Sequence, residues 1–298
     1  MKIAVASGKG GTGKTTIATA LAYVAAKKGK SVAYVDCDVE EPNGHILLHP
    51  RMRERRLVSR PVVWIDVARC NGCRRCQEVC QFSAIVWIGP KVLIYPQLCH
   101  GCGACSLACR QGAIGEQAEE VGIIEMGEGC GIEFAHGVMH VGHAKCIALI
   151  RAVRQVDLKS DVTILDAPPG ASCPVVATLR GVDLVLLVAE PTPFGLHDLG
   201  VVLEVVRSFR LPCAVVINRV DLGDGQLRRF CEREGIPVLA DLPEDPAIAR
   251  VNAQGRIVPD CLPQYQPIFE EILGELLSLV PPGAISSAGP ARTGGAAS

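Results

Sequence analysis

The sequence predicts an α/β fold built on a doubly wound, mostly parallel β-sheet. Short apolar runs with strand character alternate with longer helical patterns, which is typical of such sheets. Most of the runs are apolar on both faces, as expected for strands that helices cover on either side. The predicted strands are residues 3–6, 31–35, 162–165, 184–188, 213–217 and 238–240, and the predicted helices are residues 14–28, 144–156, 196–209, 226–234 and 264–279.

The composition indicates a folded chain without a general attraction for polyanions. Of the 298 residues, 49% are hydrophobic, enough to offset the entropy lost on ordering. Thirty Lys and Arg face 31 Asp and Glu, a formal net charge of −1, so we expect neither nucleic acid nor an anionic membrane as a partner. The longest apolar run falls far short of the roughly 20 residues of a membrane-spanning helix. Residues 1–8 lack the apolar segment of a secretory signal, so a cytoplasmic location is expected.

The alternation of strands and helices breaks between residues 61 and 116, where eight of the 15 cysteines fall. This glycine-punctuated stretch has two short β patterns, at residues 62–67 and 92–95, and indicates a small inserted domain. Because a reducing compartment disfavours disulfides, its cysteines are expected to be metal ligands or redox groups. The predicted organisation is the large domain's first part over residues 1–60, the insert over 61–116, the second part over 117–280 and a disordered tail over 281–298.

Residues 8–15 form a glycine-rich segment of the pattern G-x-x-x-x-G-K-[ST], between an apolar strand and an amphipathic helix. In such a loop the backbone amides point inward at phosphate oxygens, and the helix dipole adds positive charge. Lys14 is expected to reach the β and γ phosphates of ATP, and the Thr15 hydroxyl to complete the Mg²⁺ shell. A glycine-rich turn that binds nothing is the alternative. The residues assigned to ATP or ADP in this segment are Gly8, Gly10, Gly11, Thr12, Gly13, Lys14, Thr15 and Thr16.

A second lysine, Lys9, gives the loop the sequence Lys-Gly-Gly-Thr-Gly-Lys-Thr. At this point the chain resembles the deviant Walker A ATPases of the MinD, ParA and Mrp group, which includes the nitrogenase iron protein. The resemblance implies a dimer that sandwiches nucleotide, with Lys9 acting catalytically across the interface. That dimer is either a homodimer or a heterodimer with a paralogue. A solvated loop lysine is the alternative.

Three acidic residues match the same family one by one. Asp36 and Asp38 follow a predicted strand and resemble the family's second acidic motif, which implies that Asp38 orients the attacking water and Asp36 supports Mg²⁺. Orientation by a carboxylate is physically sensible, since phosphoryl transfer needs positioning more than strong base chemistry. Asp166 ends another apolar strand and resembles the Walker B carboxylate that binds Mg²⁺.

Two further segments match in order. Residues 167–170 resemble the family's switch segment, which senses the γ-phosphate, and Asn218 and Arg219 stand where the family recognises adenine. Any one acidic match alone would be better explained as a strand-end cap or a surface charge. The shared order of all these positions is what supports the resemblance.

The eight cysteines of the insert form two runs of identical spacing, C-x2-C-x2-C-x3-C. This is the spacing of bacterial two-cluster ferredoxins, in which the fourth cysteine of each run ligates the other cluster. The usual proline after the fourth cysteine is replaced by Gln81 and Arg110, which loosens the match without removing a ligand. Two tetrathiolate zinc sites are the alternative. The resemblance implies one [4Fe–4S] cluster on Cys70, Cys73, Cys76 and Cys109 and a second on Cys99, Cys102, Cys105 and Cys80.

The two domains together resemble a narrower group, the MinD-like ATPases with an inserted ferredoxin domain, some of them Mrp-type proteins of the orange-protein complex. The resemblance spans residues 1–279. It implies an ATPase whose nucleotide state controls electron transfer, or docking of a redox partner protein, through two clusters. One alternative is an ATP-timed scaffold or carrier that hands a metal or iron–sulfur cluster to an acceptor protein. A positional switch is a further alternative, disfavoured because no terminal amphipathic helix is visible.

Weaker signals come from other groups of residues. Cys173 lies seven residues beyond Asp166, where the nitrogenase iron protein has a cluster cysteine, and a buried structural cysteine is the alternative. A scatter of core and surface residues is expected for Cys130, His136, His140, His143 and Cys146, whose spacing fits no motif. A solvated face, or else a docking patch for an acidic redox partner, is expected for Arg51, Arg53, Arg55, Arg56 and Arg60. Core positions are expected for Cys37, Cys213, Cys231 and Cys261.

Overall fold

A large mixed β-sheet organises the protein, seen in a computed structural model that describes residues 1–143 and 146–280. The strands are β1 (Lys2–Ala6), β2 (Val32–Asp36), β3 (Arg51–Ile65), β4 (Ile85–Ile88), β5 (Lys91–Ile94), β6 (Ile114–Gly129), β7 (Ile132–Met139), β8 (Val162–Asp166), β9 (Leu184–Ala189), β10 (Cys213–Asn218) and β11 (Val238–Leu242). The helices are α1 (Lys14–Lys27), α2 (Gly44–Leu48), α3 (Arg75–Glu78), α4 (Ala104–Ala108), α5 (Ile147–Arg154), α6 (Cys173–Leu179), α7 (Pro193–Ser208), α8 (Gln226–Glu234), α9 (Pro246–Ala253), α10 (Val258–Cys261) and α11 (Gln266–Ser278), with 3₁₀ turns at Pro96–Leu98, Val220–Leu222 and Pro263–Tyr265.

Nine strands form this sheet in the order β11-β10-β9-β1-β8-β2-β7-β6-β3. The pairs from β11 to β7 are parallel, and β6 and β3 complete one edge in antiparallel pairing. The mostly parallel α/β sheet expected from the sequence is therefore confirmed, with all six predicted strands in it. The predicted helix 144–156 is observed as α5, and its predicted first two residues, like the predicted tail 281–298, lie outside the described residues.

The parallel strands form because helices bury both of their faces. Along β1, Ile3 and Val5 belong to a core packed under α1 and α11, whereas Ala4 and Ala6 belong to the opposite core under α5 and α7. Every residue of β9 is buried. Since each fully buried Val or Leu contributes about 1.5–3 kcal/mol, these two layers stabilise the part of the sheet that carries the predicted nucleotide site.

Several strands differ from the prediction: β3 extends far beyond the predicted run at residues 62–67, and β4, β6 and β7 have no predicted counterpart. The length of β3 and the presence of β6 escaped prediction because opposite charges, instead of alternating apolar residues, pair across these two strands. Four of the five clustered arginines have carboxylate partners, so the solvated face is in fact a strand with its own ion pairs. The pairs are Arg53–Glu128 at 2.6 Å, Arg55–Glu125 at 3.9 Å, Arg60–Glu119 at 2.5 Å and Arg56–Glu54.

The long β3–β6 pair forms an antiparallel ribbon that leaves the large sheet and carries residues 66–113 at its far end. This end holds the hairpin of β4 and β5 and the short helices α3 and α4. A separate small core there includes Val62, Val63 and Ile85 together with buried cysteines. The predicted boundary between residues 60 and 61 falls inside β3, which continues without a break.

Arg60 ties the ribbon to the cysteine-containing segment. Its side chain is only 7% exposed. The guanidinium donates to the carbonyl oxygens of Pro96, at 2.9 Å, and of Cys99, and it pairs with Glu119. Charge-assisted hydrogen bonds of this kind fix the orientation of the two segments.

No helix among residues 1–143 and 146–280 combines the length and the apolar character needed to cross a lipid bilayer.

Replacing Arg60 by Met should lower the free energy of unfolding by about 3 kcal/mol, because a largely buried carboxylate and two carbonyls lose their donor. Urea unfolding measures this loss, and hydrogen exchange should rise over residues 96–99. The matched control is Arg51→Met on the same strand, an exposed arginine, which should change stability by less than about 0.5 kcal/mol. Equal effects of the two substitutions would contradict the role given to Arg60.

Candidate functional site

The loop between β1 and α1 has the backbone shape that its glycines predict. Gly11 and Gly13 have φ values of 78° and 88°, in the left-handed region that other residues adopt only with strain. A Cβ on Gly8 would lie 2.4 Å from the backbone oxygen of Asp198, so no larger residue fits there. The loop leads directly into Lys14 at the N-terminus of α1, where free amides and the helix dipole favour an anion.

The carboxylate of Asp166 is the centre of the polar groups around this loop. Lys14 Nζ lies 2.8 Å from its Oδ1, and the Thr15 hydroxyl donates to Oδ2 at 2.6 Å. Burial alone would lower the pKa of Lys14, but the Asp166 carboxylate raises it overall, so the lysine keeps its charge. The family resemblance grouped these three residues from widely separated sequence positions, and the structure brings them into contact.

Tyr34 is a site residue that the sequence did not reveal. Its side chain is fully buried, and its hydroxyl donates to Asp166 Oδ2 at 2.9 Å. Burial raises the pKa of Tyr34 well above its usual value. A Cβ on Gly44 would lie 2.4 Å from the tyrosine ring, so this glycine gives the ring its space. The only available signal was a tyrosine in an otherwise aliphatic strand.

Asp36 lies beside Asp166 on the neighbouring strand. Its oxygens accept hydrogen bonds from the backbone amides of Asp38, Asn43 and Gly44 at 3.1, 3.1 and 2.9 Å, which fixes the loop after β2. Burial and the Asp166 charge raise the pKa of Asp36 to about 8. Burial also raises the pKa of Asp38, to about 6. The carboxylates of Asp36 and Asp166 and the Thr15 hydroxyl together offer the oxygen ligands that suit Mg²⁺.

Glu190 connects Lys9 with the predicted adenine segment. Its carboxylate accepts Lys9 Nζ at 2.8 Å and the Arg219 guanidinium at 2.5 Å, although Glu190 itself is 4% exposed. The Asn218 amide donates to the Thr12 carbonyl at 2.8 Å. A cavity of 420 Å³ opens beside these residues, lined by Gly13, Thr16, Asn218, Arg219 and residues after β11. The role of Glu190 was not anticipated, because a carboxylate at a strand end has many ordinary explanations.

The insert brings four cysteines around one cavity. Cys70, Cys73, Cys76 and Cys109 line it, and they are the set that the ferredoxin resemblance assigns to one cluster. The backbone amides of Ala84, Gly101 and Ala113 donate to the sulfurs of Cys80, Cys99 and Cys109 at 3.3, 3.4 and 3.3 Å. Burial raises the pKa of Cys76 and of Cys105. In residues 1–143 and 146–280, however, no three His, Cys, Asp or Glu side chains form a group able to hold a metal ion.

Comparison with protein families decides what kind of protein this is. The model of the CobQ/CobB/MinD/ParA nucleotide binding domain matches residues 3–258, most of the chain. This chain belongs to the CobQ/CobB/MinD/ParA family. It is therefore a P-loop ATPase of the MinD/ParA type, and the glycine-rich loop remains its predicted phosphate-binding segment.

Individual relatives of the family cover most of the chain. The uncharacterized protein MJ0578 of Methanocaldococcus jannaschii is 35% identical over 225 residues, 74% of this chain and 78% of that protein. An iron-sulfur cluster carrier protein of Pyrococcus abyssi is 24% identical over 82% of this chain and 74% of its own length. The septum site-determining protein MinD of Pyrococcus horikoshii, solved with Mg-ADP, superimposes with a TM-score of 0.59 at 18% identity, covering 96% of this chain and 99% of that one. This last likeness shows the MinD fold.

The weaker candidates of the sequence do not join the predicted nucleotide site as one group. Cys173 is exposed at the first turn of α6. His136 is buried and lies 3.0 Å from Glu125, whereas the rings of His140 and His143 are 6.2 Å apart. Burial of the predicted core cysteines varies. Cys37 and Cys231 are fully buried, and Cys213 and Cys261 are partly buried. Of the two cysteines in the group without a recognisable motif, Cys146 is buried and Cys130 is exposed.

Binding of Mg²⁺–ADP at pH 7 should release about one proton, because a group with a pKa near 8 is largely protonated and a cation favours its ionised form. The affinity should accordingly rise with pH up to about pH 8. Calorimetry in buffers of different ionisation enthalpy measures the released proton. The Asp36→Asn variant should release none, and Asp38→Asn should still release it, since the pKa of Asp38 is about 6. Binding of Mg²⁺–ADP by the wild type without proton release would contradict the state assigned to Asp36.

Proposed function

We propose that this protein hydrolyses ATP as a dimer and that its nucleotide state controls electron transfer, or the docking of a redox partner, through two [4Fe–4S] clusters. One observation carries the proposal: a phosphate-binding loop and a cavity lined by four cysteines occur in one chain, joined by a continuous ribbon of the same sheet. This arrangement supports an Mrp-type, MinD-like ATPase with an inserted ferredoxin domain, as in the orange-protein complex group.

In the proposed hydrolysis, charge compensation and positioning do most of the work. Amides of residues 8–16 and Lys14 bind the phosphates, and Thr15, Asp36 and Asp166 hold Mg²⁺. Asp38 orients the attacking water, and its pKa of about 6 leaves it ionised at neutral pH. MinD of Pyrococcus horikoshii binds Mg-ADP on the same fold, which supports Mg²⁺ and an adenine nucleotide as what this site binds.

The base of the nucleotide is proposed to occupy the 420 Å³ cavity beside Asn218 and Arg219. Its walls include Ile17 and Phe269 together with polar groups, a composition suited to a purine ring. Because the cavity adjoins Gly13 and Thr16, one nucleotide could place its base in the cavity and its phosphates at the loop.

Dimerisation is proposed to redirect Lys9. Within one chain its ammonium pairs with Glu190, which also holds Arg219. Its side chain is 36% exposed, so it is free to leave this carboxylate for the partner's nucleotide. Glu190 would then keep Arg219 as its partner, and the exchange would leave no buried carboxylate unpaired.

Two [4Fe–4S] clusters are proposed for the insert, one on Cys70, Cys73, Cys76 and Cys109 and one on Cys99, Cys102, Cys105 and Cys80. The shared cavity of the first set and the amide-to-sulfur hydrogen bonds at Cys80, Cys99 and Cys109 support this choice, since such bonds stabilise cluster-bound thiolates. The clusters would supply one-electron transfer at the end of the ribbon.

Nucleotide state and the cysteines are proposed to communicate through β7 and β6. The Met139 amide donates to the Val39 carbonyl at 2.9 Å, next to Asp38. From there β7 pairs with β6, and β6 runs to Ile114, beside the Ala113 amide that donates to the Cys109 sulfur. A movement of the Asp38 loop is thereby transmitted through paired strands to the cysteine cavity.

A second candidate is an ATP-timed carrier of iron–sulfur clusters. It is favoured by the similarity to the iron-sulfur cluster carrier protein of Pyrococcus abyssi. Incubation of the iron-loaded protein with an apo-ferredoxin separates the two candidates. Transfer of iron to the acceptor supports the carrier, and retention of both clusters through many redox cycles supports electron transfer.

Replacing Lys14 by Ala should lower the rate of ATP hydrolysis at least about 100-fold, since the transferred phosphoryl group loses its main cationic partner. Phosphate release is the measurement, and the iron content should stay unchanged. The control is Lys28→Ala, which removes a surface lysine paired with Glu270 and should hydrolyse ATP normally. Hydrolysis at the wild-type rate by Lys14→Ala would refute the assignment of the loop.

After anaerobic reconstitution the wild type should contain about eight iron and eight sulfide per chain. Cys109→Ala should retain about half of both, because it removes a ligand of one cluster only. Cys213→Ala, a cysteine of β10 outside the insert, is the matched control and should bind the full amount. Iron and sulfide analysis with EPR after reduction measures the outcome. A colourless protein that binds zinc instead would refute the iron–sulfur assignment.

A further inference from the structure

The cavity lined by Cys70, Cys73, Cys76 and Cys109 is bordered by basic side chains. Arg74 and Arg75 line it directly. Arg69 precedes Cys70, and its guanidinium reaches the Gly112 turn that follows Cys109. Arg110 follows Cys109 in sequence. These four residues, Arg69, Arg74, Arg75 and Arg110, are called the arginine rim.

The arginine rim is exposed and carries uncompensated charge. All four residues are exposed, and within the described part of the chain none of them forms an ion pair. Arg74 donates one hydrogen bond, to the Gly89 carbonyl at 3.3 Å. The arginines of β3 differ, because four of those five pair with glutamates of their own chain. Among the described residues, all four arginines of the rim thus lack an ion-pair partner, whereas only Arg51 of the five on β3 does.

The second cysteine run has different surroundings. Large apolar side chains are exposed near it: Phe82 at 40%, Leu98 at 41% and Leu107 at 90%. The stretch from Pro96 to Ala108 contains no Lys, Arg, Asp or Glu. The surroundings of the two cysteine runs thus differ: exposed arginines border the cavity of Cys70, and exposed apolar side chains lie near the second run.

We propose that the arginine rim is the docking surface for an acidic face of a one-electron carrier protein. This inference rests on the proposed function, in which the adjoining cysteines hold a cluster. Guanidinium groups bind carboxylates in bidentate geometry, and a local positive field accelerates encounter with an acidic surface. The chain without clusters has a formal net charge of −1, and each [4Fe–4S]²⁺ cluster on four thiolates would add about −2, so any attraction for an acidic surface comes from the rim. A carrier that docks there is placed next to the cysteine cavity.

A protein partner fits the rim better than a nucleic acid. A polyanion is bound by basic groups distributed along a groove or stripe, with aromatic side chains for stacking in the case of single strands. The rim instead surrounds one compact cavity whose cysteine chemistry is that of electron transfer. Its charge matches a patch of a few carboxylates on a folded surface.

The test measures binding of a small, strongly acidic two-cluster ferredoxin to the full-length, iron-loaded protein under anaerobic conditions. The rim variant is Arg74→Glu with Arg75→Glu, and the control is Arg51→Glu with Arg53→Glu, which makes the same change of net charge on β3. Calorimetry is performed at ionic strengths of about 0.01 M and about 0.3 M, because the Debye length falls from about 30 Å to below 10 Å between them. At low ionic strength the rim variant should bind at least about tenfold more weakly than the wild type, and the control less than about threefold.

Several outcomes would overturn the inference. They are equal losses in both variants, wild-type binding that is insensitive to salt, and binding of a single-stranded oligonucleotide as tight as that of the ferredoxin. A changed reduction potential in the rim variant with unchanged binding would also overturn it, since the arginines would then serve only the cluster.

Iron and sulfide analysis of every sample separates this failure from that of the proposed function. Samples that take up no iron on reconstitution refute the clusters, whatever their binding. Loaded samples whose binding ignores the charge reversal refute the docking surface alone.

Discussion

The site depends on one buried carboxylate. Asp166 has no exposure to solvent, so groups of the protein itself must compensate its charge. Lys14 and Thr15 of α1 and Tyr34 of β2 do so by an ion pair and two hydrogen bonds. These contacts hold the phosphate-binding loop against the carboxyl end of the sheet. They also place Asp36 beside a second carboxylate, and burial together with the Asp166 charge raises the pKa of Asp36 to about 8.

The same carboxylate connects Lys14 and Thr15 with the loop that follows β2. Tyr34 reaches Asp166 beneath Gly44, and Asp36 accepts the amides of that loop from Asp38 to Gly44. The charge of Asp166 therefore also affects Asp38, whose pKa it helps to raise. The Met139 amide then links this loop to β7, which pairs with β6.

Much of the fold was predictable, because the central strands are buried on both faces and therefore occur in the sequence as apolar runs. The phosphate loop was predictable for a different reason, since its glycines and lysine follow from the geometry of phosphate binding. The long strands β3 and β6 were not, because Arg53 with Glu128 and Arg60 with Glu119 replace the apolar alternation that marks a strand. Tyr34 and Glu190 escaped for another reason: their roles arise from tertiary contacts that no local pattern encodes.

The ribbon of β3 and β6 also bears on how such a chain can change over evolutionary time. To the large sheet, residues 66–113 are a long hairpin loop whose two stems stay paired. Closing a loop twice as long costs only about 0.6 kcal/mol more, so a module of almost any size is tolerated at the ribbon's tip. The architecture thus permits residues 66–113 to be exchanged or lost by recombination while the large sheet keeps its folding unit intact.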